Sequence, residues 1–372
     1  MILLVTGGAG FIGSHFIRLV LERRPTWKVI NLDKLTYSGN LENLKDVADR
    51  EQEKRYFFVP GDICDATLLE ALFAGGHPLL RQLKPEGSDR CPIDTVVHFA
   101  AESHVDRSIR DASAFYRTNV EGTRILLEAA RSHWKIGSTG QGPYRFVHVS
   151  TDEVYGSLGP ADPPFREEDP LRPNSPYAAS KTAADLTVLA YHHTYGLPAI
   201  ITRSGNNYGP YQHPEKFIPL FITNAIENRP LPLYGDGLQV RDWIYVEDHC
   251  KALLLTLERG QVGEVYNIGG REEHANREVA EFIAQRMGKS RDLIRKVADR
   301  IGHDRRYALD VTKIQSALGW KAERSFAQAM GATIDWYQSH PAWWKKLKDE
   351  AFWSYYQEVY GPLEKLPQDQ SD

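Results

Sequence analysis

Short apolar runs alternate with amphipathic segments through more than the first half of the chain. Runs with the residue types of buried strands occupy residues 2–6, 27–32, 56–60, 95–99, 144–149 and 199–201. Helical periodicity follows the first run and also covers residues 112–134 and 177–195. Repeated alternation of strand and helix predicts an α/β fold built on a Rossmann-type doubly wound parallel sheet.

A glycine-rich turn joins the first predicted strand to the first predicted helix. Gly7 allows a tight turn, Gly10 a close approach of a pyrophosphate, and Gly13 close packing of helix against strand. Asp33 follows Gly13 by 20 residues, at the end of the second predicted strand, where an acid can bind an adenosine ribose. The pattern predicts a dinucleotide site, and Asp33 favours NAD over NADP, a preference that the neighbouring Lys34 moderates.

The strand–helix alternation breaks down after about residue 207. Proline and glycine punctuate residues 210–237, and a strand-like, a helix-like and another strand-like segment follow at 240–246, 246–257 and 265–270. We expect a smaller mixed α/β C-terminal domain that closes over a substrate, with residues 276–304 too irregular to build a sheet. Its cations Lys216, Arg241 and Arg300 can clamp a diphosphate, although each considered alone is also typical of a solvated surface charge.

These patterns predict three parts of the chain. Residues 1–207 form a NAD-binding Rossmann domain that also carries the catalytic residues, and residues 208–330 form mainly the substrate domain, with room for the chain to cross back into the first. Residues 331–372 form an aromatic-rich helical tail, whose rings we expect to pack against the body or a partner. Two irregular connections, 74–92 and 136–143, are expected at the sheet edge opposite the binding crevice.

Chemically active residue types cluster in two stretches, 150–156 and 177–181. Tyr177 and Lys181 share one helix face, where the lysine cation can lower the pKa of the phenol. Asp152 and Glu153 follow a predicted strand, and two carboxyls there indicate acid–base chemistry. Because neighbouring side chains on a strand point to opposite faces, both can reach one ligand only if the backbone already turns. A helix-capping or solvated acid pair is the alternative interpretation.

Composition excludes several classes of function. The chain has 45 basic and 49 acidic residues, a formal charge of −4 that gives no electrostatic reason to expect nucleic-acid binding. Its three cysteines are widely spaced and indicate neither a disulfide framework nor a metal site. No run approaches the ~20 apolar residues that span a bilayer, and no leader-like segment begins the chain. We therefore predict a cytoplasmic protein without membrane or metal.

Five motifs together resemble the dTDP-glucose 4,6-dehydratases, extended short-chain dehydrogenase/reductases. They are the glycines of 7–13, residues 100–106, residues 150–156, the Tyr177/Lys181 pair and residues 206–216. The glycine and Tyr/Lys motifs belong to the whole superfamily, whereas the Thr-Asp-Glu segment at 151–153 is specific. The resemblance runs from residue 1 to about residue 320, and the long connection 74–92 departs from compact family members.

The resemblance implies roles for individual residues. The implied catalytic residues are Thr151, Asp152, Glu153, Tyr177 and Lys181. The implied cofactor-binding residues, besides Tyr177 and Lys181, are Gly7, Gly10, Phe11, Ile12, Gly13, Asp33, Lys34, Leu35, Thr36, Asp62, Ile63, Phe99, Ala100, Ala101, Ser103, Thr118 and Asn207. The implied substrate-binding residues are Ser103, Thr151, Asn206, Glu215, Lys216, Phe217, Leu231, Pro232, Tyr234, Arg241, Asn276, Arg300 and His303.

The resemblance also implies a reaction, a cofactor and an assembly. Bound NAD oxidises C4 of dTDP-glucose, water leaves across C5 and C6, hydride returns to C6, and the product is dTDP-4-keto-6-deoxyglucose. A homodimer formed through the helices near 112–134 and 177–195 is implied as well. Two alternatives remain open: a sugar-nucleotide 4-epimerase or a dehydratase of another nucleotide sugar, and a catalytically silent NAD-binding module.

Overall fold

The computed structural model describes residues 1–83, 92–136 and 143–361. Its strands are β1 (Ile2–Thr6), β2 (Lys28–Asp33), β3 (Tyr56–Pro60), β4 (Thr95–His98), β5 (Arg145–Thr151), β6 (Ala199–Ser204), β7 (Asn206–Tyr208), β8 (Leu231–Tyr234), β9 (Val240–Tyr245), β10 (Val265–Ile268), β11 (Glu273–Ala275) and β12 (Ile294–Val297). Residues 84–91 and 137–142 of the two predicted peripheral connections, and residues 362–372 of the predicted tail, lie outside the described residues.

Helices occupy much of the chain between and after these strands. They are α1 (Phe11–Arg23), α2 (Lys45–Glu51), α3 (Ala66–Phe73), α4 (Val105–Arg110), α5 (Ser113–Phe115), α6 (Thr123–His133), α7 (Pro176–Tyr195), α8 (Phe217–Ile226), α9 (Val246–Arg259), α10 (Asn276–Arg286), α11 (Thr312–Leu318), α12 (Phe326–Ser339), α13 (Pro341–Leu347) and α14 (Glu350–Tyr360). A π-helical segment, Tyr116–Gly122, joins α5 to α6.

Seven parallel strands form the large sheet, in the order β10-β6-β5-β4-β1-β2-β3. Alternate residues of β1 enter different cores, with Leu3 and Val5 in one and Leu4 in the other. Helices α1 and α9 cover the first face, and α3, α6 and α7 cover the second. Burial of both faces explains the nearly continuous apolar strands and confirms the predicted doubly wound α/β fold.

The edge strand β10 comes from the C-terminal half of the chain. Val265 pairs with Ile201 and Ile268 with Ser204, in parallel register with β6. Residues 265–268 therefore belong to the large sheet although they follow residue 208 in sequence. The domain boundaries at residues 207 and 330 stay predictions.

A second layer contains two small sheets, β11-β9-β7 and β12-β8. Helices α8, α10 and α12 pack beside them around a separate core. The expectation that residues 276–304 are too irregular for a sheet was wrong, because β12 pairs in parallel with β8. Its sequence, Ile-Arg-Lys-Val, lacks clean alternation, and its partner strand lies far away along the chain, so no local signal marks it.

The C-terminal helices pack against the rest of the molecule. The indole of Trp343 on α13 donates to Asn43 at 3.0 Å, and the indole of Trp344 donates to the Tyr337 carbonyl at 2.9 Å. Lys348 is buried and donates to Asn224 at 3.0 Å. Each polar tip therefore has a partner while the rings bury apolar area, which is the energetic requirement for placing such side chains inside.

Candidate active site

One cavity of about 450 Å³ lies at the carboxyl ends of the large-sheet strands and extends under the second layer. Its wall joins the glycine turn after β1, the ends of β2, β4 and β5, and the first turns of α7. The second layer completes it with residues of β8, β9 and the segment 299–307. This is the crevice where an open parallel sheet binds ligands.

Nearly all residues predicted for the site line this cavity. From the cofactor set these are Gly7, Gly10, Phe11, Ile12, Gly13, Asp33, Lys34, Thr36, Asp62, Ile63, Phe99, Ala100, Ala101, Ser103, Thr118, Tyr177, Lys181 and Asn207. From the catalytic and substrate sets these are Thr151, Asp152, Glu153, Asn206, Glu215, Lys216, Phe217, Pro232, Tyr234, Arg241, Asn276, Arg300 and His303.

Leu35 and Leu231 do not line the cavity. Strand β8 places Pro232 and Tyr234 on the wall, so alternation turns Leu231 into the second-layer core. The Leu35 side chain is exposed, its φ is 55°, and its amide donates to the Asp33 carboxylate at 2.8 Å. Neither leucine side chain is therefore placed to touch a ligand.

Several wall residues were not predicted from the sequence. His104 and Asp106 lie within the motif 100–106 and could have been included on that basis. Tyr307 follows the predicted segment 299–304 closely. Tyr360 is different, because it reaches the wall from the end of α14, and no local pattern connects a C-terminal helix to this cavity.

The glycine turn has the geometry that a dinucleotide requires. Gly7 has a φ of 72°, and its amide donates to the Leu32 carbonyl at 2.9 Å. A β-carbon at Gly13 would lie 2.4 Å from the Gly7 oxygen and 2.8 Å from the Gly8 α-carbon. The turn thus leaves the amides at the start of α1 facing the cavity, where they can bind phosphate.

Replacing Gly13 with Ala should therefore disrupt both the turn and cofactor retention. The new methyl group meets backbone atoms that cannot rotate away, so we expect a loss of about 1–3 kcal/mol in unfolding free energy. Denaturant unfolding and the NAD content of the purified protein measure the two effects. Gly331→Ala on α12 is the matched control, since nothing lies within 4 Å of its added carbon, and wild-type stability in Gly13→Ala would contradict the close packing.

Asp33 is fixed by the backbone around it. Its carboxylate accepts from the amides of Ala9 and Leu35 at 2.9 and 2.8 Å. Burial raises the pKa of Asp33, an effect that these two hydrogen bonds oppose. Lys34 forms an ion pair with Asp62 at 2.8 Å, so its charge is already compensated. An acid without a free neighbouring cation suits an unmodified ribose better than a 2′-phosphate.

The backbone turns at the acid pair. Strand β5 ends at Thr151, and Asp152–Tyr155 forms a 3₁₀ turn. The Thr151 hydroxyl accepts from the Glu153 amide at 3.3 Å and donates to Asp152 at 3.2 Å. Because the strand geometry has already ended, both carboxyls line the same cavity.

The two carboxyls have different electrostatic surroundings. Burial, and then the neighbouring Glu153, raises the pKa of Asp152 well above its usual value. Burial also raises the pKa of Glu153. Arg241 opposes this rise at both carboxyls, and Arg300 is the strongest opposing charge at Glu153. This asymmetry favours a protonated Asp152 beside an ionised Glu153, one acid and one base.

Tyr177 and Lys181 stand in the first turns of α7, whose amino end is capped by Ser175, which accepts from the Ala178 amide at 3.1 Å. Burial and the carboxyls of Glu153 and Asp152 raise the pKa of the phenol well above 10. The lowering by Lys181 that the sequence led us to expect is too small to offset them. The Lys181 ammonium donates to the Val149 carbonyl at 2.9 Å, and burial lowers its pKa to about 8.

Three cations of the second layer and the segments next to it line the cavity. Lys216 donates to the Ser103 carbonyl at 3.2 Å, and Arg241 donates to the Asp304 carbonyl at 3.0 Å. Arg300 lies 3.8 Å from Asp106, and its Nε is buried without a hydrogen-bond partner. Among the residues that the structure describes, none of these three cations forms a close bidentate pair with a carboxylate, so their charge is available to an anionic ligand.

Within residues 1–83, 92–136 and 143–361, no helix has the length and hydropathy needed to cross a bilayer. The same residues contain no group of three or more metal-ligating side chains. The cytoplasmic location predicted from the sequence stays a prediction.

Comparison with known proteins adds an independent observation. The family model for GDP-mannose 4,6 dehydratase matches residues 4–333. A dTDP-glucose 4,6-dehydratase from Streptomyces niveus is 49% identical, with 94% of this chain and 97% of the relative covered. The dTDP-glucose 4,6-dehydratase 1 of Escherichia coli strain K12 is 46% identical, with 97% and 99% covered.

Solved structures agree with these sequence matches. The dTDP-glucose 4,6-dehydratase DesIV of Streptomyces venezuelae, crystallised with NAD, superposes with a TM-score of 0.83 at 49% identity and covers 94% of this chain and 100% of its own. A UDP-glucose 4-epimerase from Thermotoga maritima has a TM-score of 0.78 at 29% identity, with 91% and 99% covered. The scaffold is thus shared across several nucleotide-sugar chemistries, and the side chains in the cavity must discriminate among them.

Proposed function

This chain belongs to the dTDP-glucose 4,6-dehydratase family, and we propose that it converts dTDP-glucose to dTDP-4-keto-6-deoxyglucose and water, an NAD-dependent hydro-lyase step in deoxysugar biosynthesis. The observation that carries this function is the turn at Thr151, which presents Asp152 and Glu153 to the cavity that also holds Tyr177. Epimerisation at C4 needs only oxidation and reduction, whereas loss of water needs an acid and a base. We assign Asp152 as the acid and Glu153 as the base, because the pKa of Asp152 is raised well above its usual value while Arg300 and Arg241 oppose the rise at Glu153.

The residues of the chain fit NAD. The glycine turn can hold the pyrophosphate, Asp33 the adenosine ribose, and Tyr177 with Lys181 the nicotinamide end. When bound, NAD supplies the acceptor that takes hydride from C4 and returns it to C6, and its ring charge favours ionisation of Tyr177. The cofactor is regenerated in each turnover and therefore acts as a catalyst.

Tyr177 acts on the 4-hydroxyl of the sugar. Its phenolic oxygen takes the hydroxyl proton while C4 is oxidised. Lys181 favours the ionised phenol through its charge. We assign Thr151 to orient the 4-hydroxyl, because its own hydroxyl lies between Asp152 and the tyrosine.

The acid pair then removes water. A ketone at C4 acidifies the C5 hydrogen, which Glu153 abstracts with its carboxylate. Asp152, held protonated by burial, donates to the departing 6-hydroxyl. After C6 is reduced, Glu153 returns the proton to C5. Tyr177 now carries a proton and Asp152 lacks one, and the Thr151 hydroxyl, 3.2 Å from Asp152, provides a path that resets both.

Charged and polar side chains on the cavity wall are candidates for binding the substrate. We assign Lys216, Arg241 and Arg300 to the diphosphate, because all three are cations that line the cavity. Glu215 and Asn206 have buried oxygens without hydrogen-bond partners, which suits hydroxyl groups of a sugar. A ligand that satisfies these atoms recovers the free energy spent in burying them.

Incubation with dTDP-, UDP-, CDP- and GDP-glucose tests the function. We expect 4-keto-6-deoxy product, detected by its absorbance in alkali, and the fastest formation from dTDP-glucose. A C4 epimer instead of the keto sugar would favour the epimerase alternative. Absence of any turnover by a protein that retains NAD would favour a silent binding module.

We further propose a homodimer formed through the faces of the segments 113–133 and 176–195. Large apolar side chains are exposed there, with Tyr116 46%, Leu186 54% and Tyr195 44% accessible. Such residues on neighbouring helices are typical of an interface. Leu186→Glu should therefore yield a monomer by analytical ultracentrifugation, and a wild-type monomer would contradict the proposal.

A further inference from the structure

A buried polar cluster lies directly behind Lys181, outside the cavity wall. It comprises His148 on β5, Asp185 on α7 and Arg203 on β6, whose side chains are 1%, 0% and 3% exposed. The His148 Nε2 lies 3.4 Å from both the Lys181 ammonium and an oxygen of Asp185. The proposed reaction assigns no step to these three residues.

Asp185 is the centre of the cluster. It follows Lys181 by one helical turn, so both side chains leave the same face of α7. Arg203 pairs with Asp185 at 2.9 Å and also donates to the Tyr155 hydroxyl at 2.8 Å. That hydroxyl donates in turn to Asn267 at 2.8 Å. The carboxylate is thus held by a guanidinium that is itself fixed on a second side.

His148 links Asp185 to Lys181. Burial lowers the pKa of this histidine to about 4, so it is neutral. Its Nε2 lies between the ammonium and the carboxylate, 3.4 Å from each, so the ring can accept from Lys181 in one tautomer or direct its N–H towards Asp185 in the other. In both cases the ring fills the space between the two charges. The ammonium also donates to the Val149 carbonyl on this side of the cavity wall.

We propose that Asp185 is a positioning residue for Lys181: its anchored carboxylate, reached through His148, keeps the ammonium charged at the cavity wall, and the ammonium in turn favours ionisation of Tyr177. This inference rests on the proposed function. It adds a buried acid, together with its Arg203 anchor, to the requirements for the oxidation step.

The role is indirect, because the Asp185 carboxylate itself raises the pKa of Tyr177 and can favour ionisation of the phenol only through Lys181. Burial opposes the ammonium, and Asp185 is the group that raises its pKa in return. His148 on β5 and His98 on β4 are neutral, because burial lowers the pKa of both. Arg203 on β6 is a like charge, but its guanidinium is engaged by Asp185. Asp152 and Glu153 face the cavity side, where burial raises the pKa of both carboxyls.

Asp185→Asn tests the proposal by removing the charge while keeping the shape. The pKa of Lys181 should fall, so Lys181 should lose its proton at lower pH. We expect the alkaline limb of the pH profile for reduced-cofactor formation from dTDP-glucose to move to lower pH by about 1–3 units, the usual effect of a nearby opposite charge. NMR titration of isotope-labelled lysine, assigned with Lys181→Arg, should show the same shift without turnover.

Two companion variants separate charge from folding. Asp185→Glu retains the carboxylate, so the alkaline limb of its pH profile should lie close to the wild-type position. Asp185→Asn leaves Arg203 unpaired in the interior, which is destabilising in itself. The double variant Asp185→Asn, Arg203→Gln removes that unpaired charge, and should regain thermal stability while keeping the displaced limb.

The outcomes are distinct. A displaced limb with unchanged NAD content and dTDP affinity supports the positioning role. The positioning role is overturned if Asp185→Asn or the double variant is active and its alkaline limb lies at the wild-type pH, with only a lower melting temperature. Asp185 would then be a purely structural residue. Failure of the wild-type protein to act on dTDP-glucose would overturn the proposed function itself.

Discussion

Tyr177→Phe should lose the oxidation step, with turnover of dTDP-glucose reduced about 10²–10⁴-fold, the usual contribution of a general base. Only the hydroxyl is removed, while the ring keeps its contact with Phe115, whose centroid lies 6.3 Å away. Binding of dTDP and retention of NAD should therefore change little. Stopped-flow absorbance of the reduced cofactor measures the missing step directly.

Tyr195→Phe is the matched control for that experiment. It makes the same chemical change on the same helix, but Tyr195 is 44% exposed and does not line the cavity. Its activity should equal that of the wild type. If Tyr177→Phe formed reduced cofactor at the wild-type rate, the phenol could not be the base, and another group on the wall would have to take the proton.

The site residues that sequence predicted well are those whose geometry is local. Gly7 lies in the turn before α1 and Gly13 in the first turn of that helix, while Tyr177 and Lys181 share one face of α7, so spacing alone places each pair together. The acid pair was the harder case, because strand alternation argued against two neighbouring carboxyls facing one cavity. In the structure, a 3₁₀ turn that begins at Asp152 brings both carboxyls to the cavity. This feature is also local, but predicting it requires knowing the residue at which β5 ends.

The features that sequence did not predict depend on contacts between distant segments. Tyr360 reaches the cavity only because α14 packs beside β8, with its ring 5.6 Å from Tyr234. Asp185 and Arg203 form one ion pair from a helix and a strand, and each looks like an ordinary charged residue in the sequence. Leu231 was predicted at the site but lies in the core, because β8 turns Pro232 and Tyr234 to the cavity and Leu231 to the opposite face.

The expected phenol chemistry also depends on distant contacts. Spacing on α7 predicted that Lys181 lowers the pKa of Tyr177, yet burial and the two carboxyls raise it well above 10. The phenol is therefore neutral until the charges around it change. This makes Tyr177 and the acid pair one coupled system, in which a substitution at Glu153 must also alter the oxidation step.

Glu153→Gln should separate oxidation from dehydration. Glutamine keeps the size and hydrogen-bonding capacity of the side chain but cannot accept the C5 proton, so formation of the keto-deoxy product should fall about 10²–10⁴-fold. Oxidation at C4 needs Tyr177 and not Glu153, so the reduced cofactor should accumulate when dTDP-glucose is added. Exchange of the C5 hydrogen with solvent deuterium should cease in the same variant.

Coupling adds a pH signature to this prediction. Because Glu153 is the charged group that most raises the pKa of Tyr177, its neutralisation lowers that pKa. The acidic limb of the pH profile for C4 oxidation should therefore move to lower pH in Glu153→Gln. Loss of a nearby positive charge would raise the pKa of Tyr177 and move this limb to higher pH. Glu167→Gln is the matched control: Glu167 is half-buried, accepts from the Asn267 amide at 2.9 Å and lies off the cavity wall. It should neither trap reduced cofactor nor move the limb, and full product from Glu153→Gln would show that another group removes the C5 proton.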